Sequence, residues 1–261
     1  MMVGFAIKSA EIEHFSSEGE HQSYATRAAR NDLAFTRQIL AIDADQGDFG
    51  ATVMVEKLRF IAKHRDAALE DVARLNIYIA DERPDLRAAA EKLVADYWRA
   101  GKTPAVSIVP GKLPDGVPMA LDAVIVLDSR TEEVTPINLD AANLRFKIDA
   151  VIAPAEKGIV FASGRVAKGK TYAESIPAMH ELVMGDVKHL GVTEKDIVGV
   201  RAYINDVDNW AKAEAELEAL FGEPSPPIIF IEWSRADAVE VEYIFSTPGK
   251  TNGEPAVLHF P

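Results

Sequence analysis

Two stretches decide how this chain is built: residues 54–81, MVEKLRFIAKHRDAALEDVARLNIYIAD, and residues 179–206, MHELVMGDVKHLGVTEKDIVGVRAYIND. Laid over one another at an offset of 125, they agree at eight of 28 positions: Met54/Met179, Glu56/Glu181, Lys63/Lys188, His64/His189, Asp71/Asp196, Tyr78/Tyr203, Ile79/Ile204 and Asp81/Asp206. Average residue usage gives about one or two such identities by chance. Leu58/Val183 and Val72/Ile197 add conservative matches between them. A unit of this size is an autonomous domain rather than a solenoid repeat, so the sequence reads as a tandem duplication.

Outward from these stretches, the same order of elements repeats. In the second half, Ile159-Val160-Phe161-Ala162 reads as a buried strand ended by Ser163-Gly164. A helix over Tyr172–Leu190 carries Met179, Leu182, Val183 and Val187 on one face, and Gly191 sits where a helix C-terminal glycine belongs. A strand over Ile197–Ile204 follows, then a helix over Asp208–Phe221 with Asp208 as its cap. Strands Ile228–Ile231 and Val239–Phe245 close the half, with strict alternation in Val239-Glu240-Val241-Glu242. The first half reads likewise: strand Leu33–Thr36, helix Gly50–His64, strand Val72–Ile79, helix Pro84–Trp98, and strands Ala105–Val109 and Met119–Leu127. Each half is expected to be an α+β unit with two helices on one face of a mixed sheet. The polar run from Asp128, with Pro136, places a linker at 128–142, between a first domain at 1–127 and a second at 143–261 that ends in a C-terminal tail.

Composition narrows the function. The 261 residues carry 28 Lys+Arg against 41 Asp+Glu, a net charge of −13, which argues against nucleic acid or an anionic membrane as partner because both need clustered cations. The chain has no cysteine, so thiol nucleophiles, disulfides and zinc–thiolate sites are excluded. Met1–Ala10 is too short and interrupted for a signal peptide's apolar region, and no apolar run approaches the ~20 residues needed to span a bilayer. The expectation is a soluble, cytoplasmic protein.

The order of elements and its landmarks resemble the Rid family (reactive-intermediate deaminases, also called the YjgF family), present twice. The second half carries Val160-Phe161-Ala162-Ser163-Gly164, Leu190-Gly191-Val192-Thr193-Glu194-Lys195-Asp196-Ile197, Tyr203-Ile204-Asn205-Asp206 and Val239-Glu240-Val241-Glu242. The first half carries Tyr24 ahead of Leu33-Ala34-Phe35-Thr36, then Leu69-Glu70-Asp71-Val72, Tyr78-Ile79-Ala80-Asp81, Thr103-Pro104-Ala105 and Leu113-Pro114-Asp115-Gly116-Val117. The resemblance implies two chorismate-mutase-like domains in tandem. It also implies assembly with ligand clefts between domains, and hydrolysis of enamines or imines to carbonyl compounds and ammonia without metal or cofactor. In such clefts an arginine after a Pro-Ala pair holds a substrate carboxylate bidentately, while a Tyr, a Ser-Gly and a late Glu position substrate and water.

The functional set is incomplete in each half. Val106 stands at the arginine position of the first half, and Arg37-Gln38 replaces its Ser-Gly. In the second half Pro226-Pro227-Ile228-Ile229 lacks the arginine, and the tyrosine position falls near Ala150. Ala90 and Glu214 occupy the place of a helical asparagine. Glu242 and Asp122 are the candidate catalytic carboxylates, orienting water or acting as base, against a reading as outward-facing residues of an alternating strand. Arg37 and Arg165 are candidate anion anchors from the opposite wall, against surface arginines at strand ends. Tyr24 is a candidate donor to a ligand, against a half-buried aromatic. Ser163 and Gly164 are either a binding turn or a plain one.

His64 and His189 are read as structural residues at helix C-termini, where an imidazole complements the dipole. No second histidine lies four residues from His180, so no metal is expected. Gly164-x4-Gly169-Lys170-Thr171 has the spacing of a phosphate loop, but the first half has no counterpart and the repeat lacks the parallel nucleotide fold, so it is read as a polar connection. The resemblance thus implies a cofactor-independent small-molecule hydrolase or deaminase of the Rid type, acting on an imine, enamine or related carbonyl-derived metabolite with an anionic group in clefts between domains, with a catalytically inactive ligand-binding or scaffolding protein as the alternative. Six domains close two three-domain rings, so a homotrimer is the expected assembly.

Overall fold

The computed structural model describes residues 12–17, 23–28, 31–42, 48–81, 83–99, 101–139, 150–166, 171–233 and 239–250; for 12–28, 163 and 248–250 only the backbone is considered. A hairpin comes first, with β1 (Ile12–Ser17) antiparallel to β2 (Ser23–Ala28). The first half continues through β3 (Asp32–Thr36), β4 (Ile39–Leu40), α1 (Ala51–Lys63), β5 (Val72–Ile79), α2 (Pro84–Tyr97), β6 (Ala105–Pro110) and β7 (Met119–Leu127). After β8 (Thr135–Ile137) and β9 (Ala150–Ala153), the second half runs β10 (Lys157–Val166), α3 (Tyr172–Val187), β11 (Ile197–Ile204), α4 (Trp210–Phe221), β12 (Ile228–Glu232) and β13 (Val239–Lys250).

The α+β expectation holds, with two mixed sheets and two helices on each. Sheet one has the order β6-β5-β7-β3-β9-β8, with β4 beside β7, and sheet two has β10-β13-β11-β12. The duplication is visible in the pairing: β5 and β6 are parallel, as are β11 and β12, while β5/β7 and β11/β13 are antiparallel.

Alternation along the strands decides which face is covered. Leu75, Ile77 and Ile79 of β5 and Met119, Leu121 and Ile125 of β7 turn toward α1 and α2, meeting Met54, Leu58, Leu86 and Leu93. Val200, Ala202 and Ile204 of β11 and Val241, Tyr243 and Phe245 of β13 meet Met179, Val183, Ala213 and Leu217 of α3 and α4. The remaining faces pack against each other: Phe35, Val151 and Ala153 lie against Val198 and Ile244, and Leu40, Tyr78 and Ala120 lie against Ile229. The order is helices, sheet, sheet, helices. Burying large apolar side chains on both faces of each sheet stabilises it by about 1.5–3 kcal/mol per side chain.

Three details differ from the sequence expectations. β8 and β9 straddle residue 142 yet join sheet one, β9 pairing with β3 and β8 with β9, because the open edge of β3 is satisfied by whichever strand reaches it. The strand expected to stop at Ser163-Gly164 continues to Val166, with a register shift between Ala162 and Arg165. α4 starts at Trp210 after a 3-10 turn, and Asp208 does not cap it but pairs with Lys112 of the first half.

Candidate functional site

The face of each sheet turned away from its helices carries the polar half of the alternation. In sheet one, Asn76 of β5 lies directly opposite Asp122 of β7, with Tyr78 two residues on. In sheet two, Arg201 of β11 lies directly opposite Glu242 of β13, with Tyr203 two residues on. Tyr78 and Tyr203 are matched in the duplication, and period-2 geometry puts each on the same face as its neighbour two residues back.

Asp122 is buried and accepts hydrogen bonds from Tyr78 Oη at 2.6 Å and from Asn76 Nδ2 at 2.9 and 3.1 Å. Burial raises its pKa above the ordinary aspartate value, against the opposing pull of Tyr78, Arg201, Asn76 and Arg74. Burial and the adjacent Asp122 likewise push the Tyr78 phenol up. Tyr203 donates to Glu242 Oε2 at 3.1 Å, and burial together with that carboxylate pushes its pKa up to about 12. Arg201 Nη1 lies 4.0 Å from the same Glu242 oxygen. The charge of Arg201 acts on Asp122, Tyr78 and Tyr203 together, so this guanidinium belongs to both halves. The result is a polar seam running from a closed end at Asp122 to a half-open end at Glu242, whose side chain is 33% exposed, with Trp233 beside Tyr203.

A second polar group sits close by, where β12 and α4 face the first half. The Arg37 guanidinium is ion-paired to Glu214 of α4, with side-chain exposures of only 5% and 14%. Gln38 donates through Nε2 to the Phe230 carbonyl and accepts from the Phe230 amide, each at 3.2 Å, behaving like a short strand edge. Trp210 Nε1 donates to Asp115 Oδ1 at 3.1 Å, and the Lys112 amide donates to Glu232 Oε2 at 2.9 Å. Arg37, Gln38, Trp210, Glu214, Ile228 and Phe230 bound a small cleft with about 10 Å³ of room, space for one water molecule. Leu40 lines this cleft and also packs beside Tyr78, which joins the two polar groups.

The seven candidate residues therefore separate. Asp122 and Glu242 come together in the seam, at opposite ends of it. Arg37 is in the cleft between halves, but its charge is already matched by Glu214. Arg165 is on the other side of its sheet: Nε bonds Asp186 of α3 at 2.6 Å on the exposed surface, so it does not face Arg37 or Glu242. The register shift in β10 is the reason, since a one-residue slip turns a side chain to the opposite face. A Cβ at Gly164 would meet the Glu240 side chain, which would have to swing aside to admit it. Tyr24 and Ser163 lie on β2 and β10, and their side chains fall outside the described residues. Residues 167–170 of the phosphate-loop lookalike also fall outside them, while Thr171 caps α3 by accepting from the Glu174 amide.

Sequence reasoning missed Arg201, Asn76 and the two tyrosines. The available signal was their i, i+2 spacing on the strand next to the late acidic residue. Among the described residues no cluster of His, Asp and Glu has the geometry to hold a metal, and no helix is long and apolar enough to cross a membrane.

No protein-family model and no curated protein matches the sequence. Solved structures do. A YjgF/YER057c/UK114 family member from Mycobacterium tuberculosis matches with 20% identity and a TM-score of 0.32, over 34% of this chain and 79% of its own. Yeast Mmf1 matches with 17% identity and a TM-score of 0.33, over 42% of this chain and 90% of its own. A YjgF family member from Neisseria meningitidis matches with 18% identity and a TM-score of 0.32, over 46% of this chain and 98% of its own.

Proposed function

We propose that the chain is a divergent Rid-type hydrolase of imines or enamines that carry a carboxylate, working in the seam between its two sheets. The observation that carries this reading is the Arg201 guanidinium, whose charge acts on both carboxylate–phenol pairs, Asp122/Tyr78 and Glu242/Tyr203. A guanidinium in a partly dry site is suited to a substrate carboxylate. It would supply from within the seam the anchor that the Pro226-Pro227-Ile228 stretch lacks.

The chemistry needs only water and a proton carrier. An enamine first takes a proton at carbon and becomes the iminium ion, the same species that an imine forms by taking a proton at nitrogen. Water then adds across C=N, its oxygen bonding to carbon while one of its protons passes to Glu242. That proton passes on to nitrogen, the C–N bond breaks, and ammonia leaves as the hydroxyl gives its proton back to Glu242 and the C=O bond closes. Tyr203 steadies Glu242 throughout by donating to it, while Tyr78 and Asn76 hold Asp122 at the closed end of the seam.

The test is ammonia release from freshly generated 2-imino acids, together with the melting temperature in the presence of a small 2-oxo acid. Release above buffer, with a raised melting temperature, supports the hydrolase. A raised melting temperature without release supports the alternative, a binding protein that has lost catalysis. The Arg37–Glu214 pair favours that alternative, because it already neutralises the cation of the neighbouring cleft. As assembly we propose the homotrimer, which a solution mass of three chains would support and any other mass would overturn.

A further inference from the structure

The first strand of the second half is not in its own sheet. β9 crosses to sheet one and pairs antiparallel with β3 in the register Leu33↔Ala153, Ala34↔Ile152, Phe35↔Val151 and Thr36↔Ala150. Under the 125-residue repeat, β3 corresponds to the start of β10, and β9 corresponds to residues 25–28 of β2. The position on β10 that matches the seat of β9 is empty among the described residues, where β10 is the outermost strand of sheet two.

Burial records the difference. Four of the five β3 residues are buried, whereas none of residues 157–162 is. Thr36 is 2% exposed and its counterpart Phe161 is 66% exposed. A ten-residue edge strand with an exposed phenylalanine is a surface that proteins ordinarily cover. β2 hydrogen-bonds only to β1 among the described residues, so its other edge is open for pairing, and reaching β10 means leaving its place beside β5 and β6.

The connections match as well. Three residues, 154–156, separate β9 from β10, and three residues, 29–31, separate β2 from β3. Asp32 at the start of β3 accepts the Ala155 amide at 2.8 Å, so the starts of β3 and β10 are already side by side. A three-residue link spans up to about 14 Å between its flanking residues, enough to carry the chain from Asp32 back to a strand beside Lys157.

We propose that the exchange is reciprocal: the Ser23–Ala28 strand of the same chain has a seat on the outer edge of β10, as β9 has on β3. The repeat sets the register as Ala28↔Gly158, Arg27↔Ile159, Thr26↔Val160 and Ala25↔Phe161. Each half then lends one strand, β2 or β9, to the other, and neither half closes its sheet without its partner. The next pair, Tyr24↔Ala162, carries Tyr24 next to Ser163-Gly164, where β10 shifts register opposite the Glu242 region of β13. The exchange does not depend on any catalytic activity.

Because the chain has no cysteine, introduced thiols report on this register without background. Facing residues of paired strands have Cα atoms ~4.5–5.5 Å apart, within the range a disulfide spans. Mild oxidation of the Thr26→Cys/Val160→Cys chain is expected to give a cross-link within one chain, read as loss of two thiol hydrogens at the mass of a single chain. The Thr26→Cys/Phe161→Cys chain, one residue out of register, is expected not to cross-link. Absence of the first cross-link, a cross-link only between chains, or equal cross-linking of both pairs overturns the proposal. Hydrogen exchange on the unmodified chain gives an independent reading: amides of residues 158–162 that face away from β13 should exchange at least about tenfold slower than unprotected ones, and free exchange there also overturns it.

Discussion

Replacing Glu214 by leucine tests whether Arg37 is a clamp between the halves or an anchor for anions. Breaking a buried ion pair from one side costs about 3–5 kcal/mol, because the remaining charge stays desolvated. The side chains are 5% and 14% exposed, so solvent screening relieves little of this. Arg37 also has an interaction besides Glu214, which places the expected loss near the low end, about 3 kcal/mol. In a chain of this size that corresponds to a fall in melting temperature of roughly 6–12 °C. The double replacement, Arg37→Met with Glu214→Leu, removes both charges and leaves an apolar contact of similar volume. It should recover to within about 1 kcal/mol of the parent, since a buried pair is often no more stable than its apolar substitute. Urea unfolding followed by circular dichroism measures all four corners of the cycle. Additive losses, or a single replacement costing less than about 1 kcal/mol, would show that the pair is solvated and uncoupled, and the clamp would have to be abandoned.

Two further outcomes follow from the buried polar groups. Asp122 has a folded pKa above its unfolded one, so its contribution is fully present below the unfolded value near 3.8 and is lost as pH rises through the folded value. Asp122→Asn should remove that loss, so the stability difference between variant and parent should shift in the variant's favour across that interval in urea midpoints measured against pH, whereas a difference independent of pH would contradict the raised pKa. Tyr243 hydrogen-bonds His180 Nδ1 at 3.0 Å inside the second core, and His180 Nε2 lies 3.3 Å from Glu194. Tyr243→Phe should therefore cost about 1–3 kcal/mol by thermal unfolding and leave ammonia release unchanged, while an altered rate with unchanged stability would give this relay a catalytic part.

Local patterns were legible and long-range choices were not. The alternation in β5, β7, β11 and β13 marks which residues enter the cores, because a strand's faces are decided within a few residues. The cap at Gly191 is local too, the residue standing in the left-handed region at a helix end. Which sheet receives β9 depends on an edge more than a hundred residues away, and no spacing in Ala150–Ala153 encodes it. Arg37 and Arg165 look alike in sequence, each following a first strand, but the shift in β10 sends Arg165 to α3 while Arg37 crosses to α4. Asp122 and Glu242 were found as late acidic residues. Their partners Asn76 and Arg201 differ between the halves, so a search for repeated residues passed over the positions where the two halves divide the chemistry.

The role of the seam is tested most directly by ammonia release from one imine substrate, measured side by side in the parent chain, Glu242→Gln and Arg201→Gln. Loss of the base should lower kcat by about 10²–10⁴-fold, the range of general acid–base contributions, with KM little changed. Loss of the carboxylate anchor should appear mainly as a rise in KM. Equal kcat and KM in all three chains would contradict the assignment of the reaction to the face shared by the two sheets.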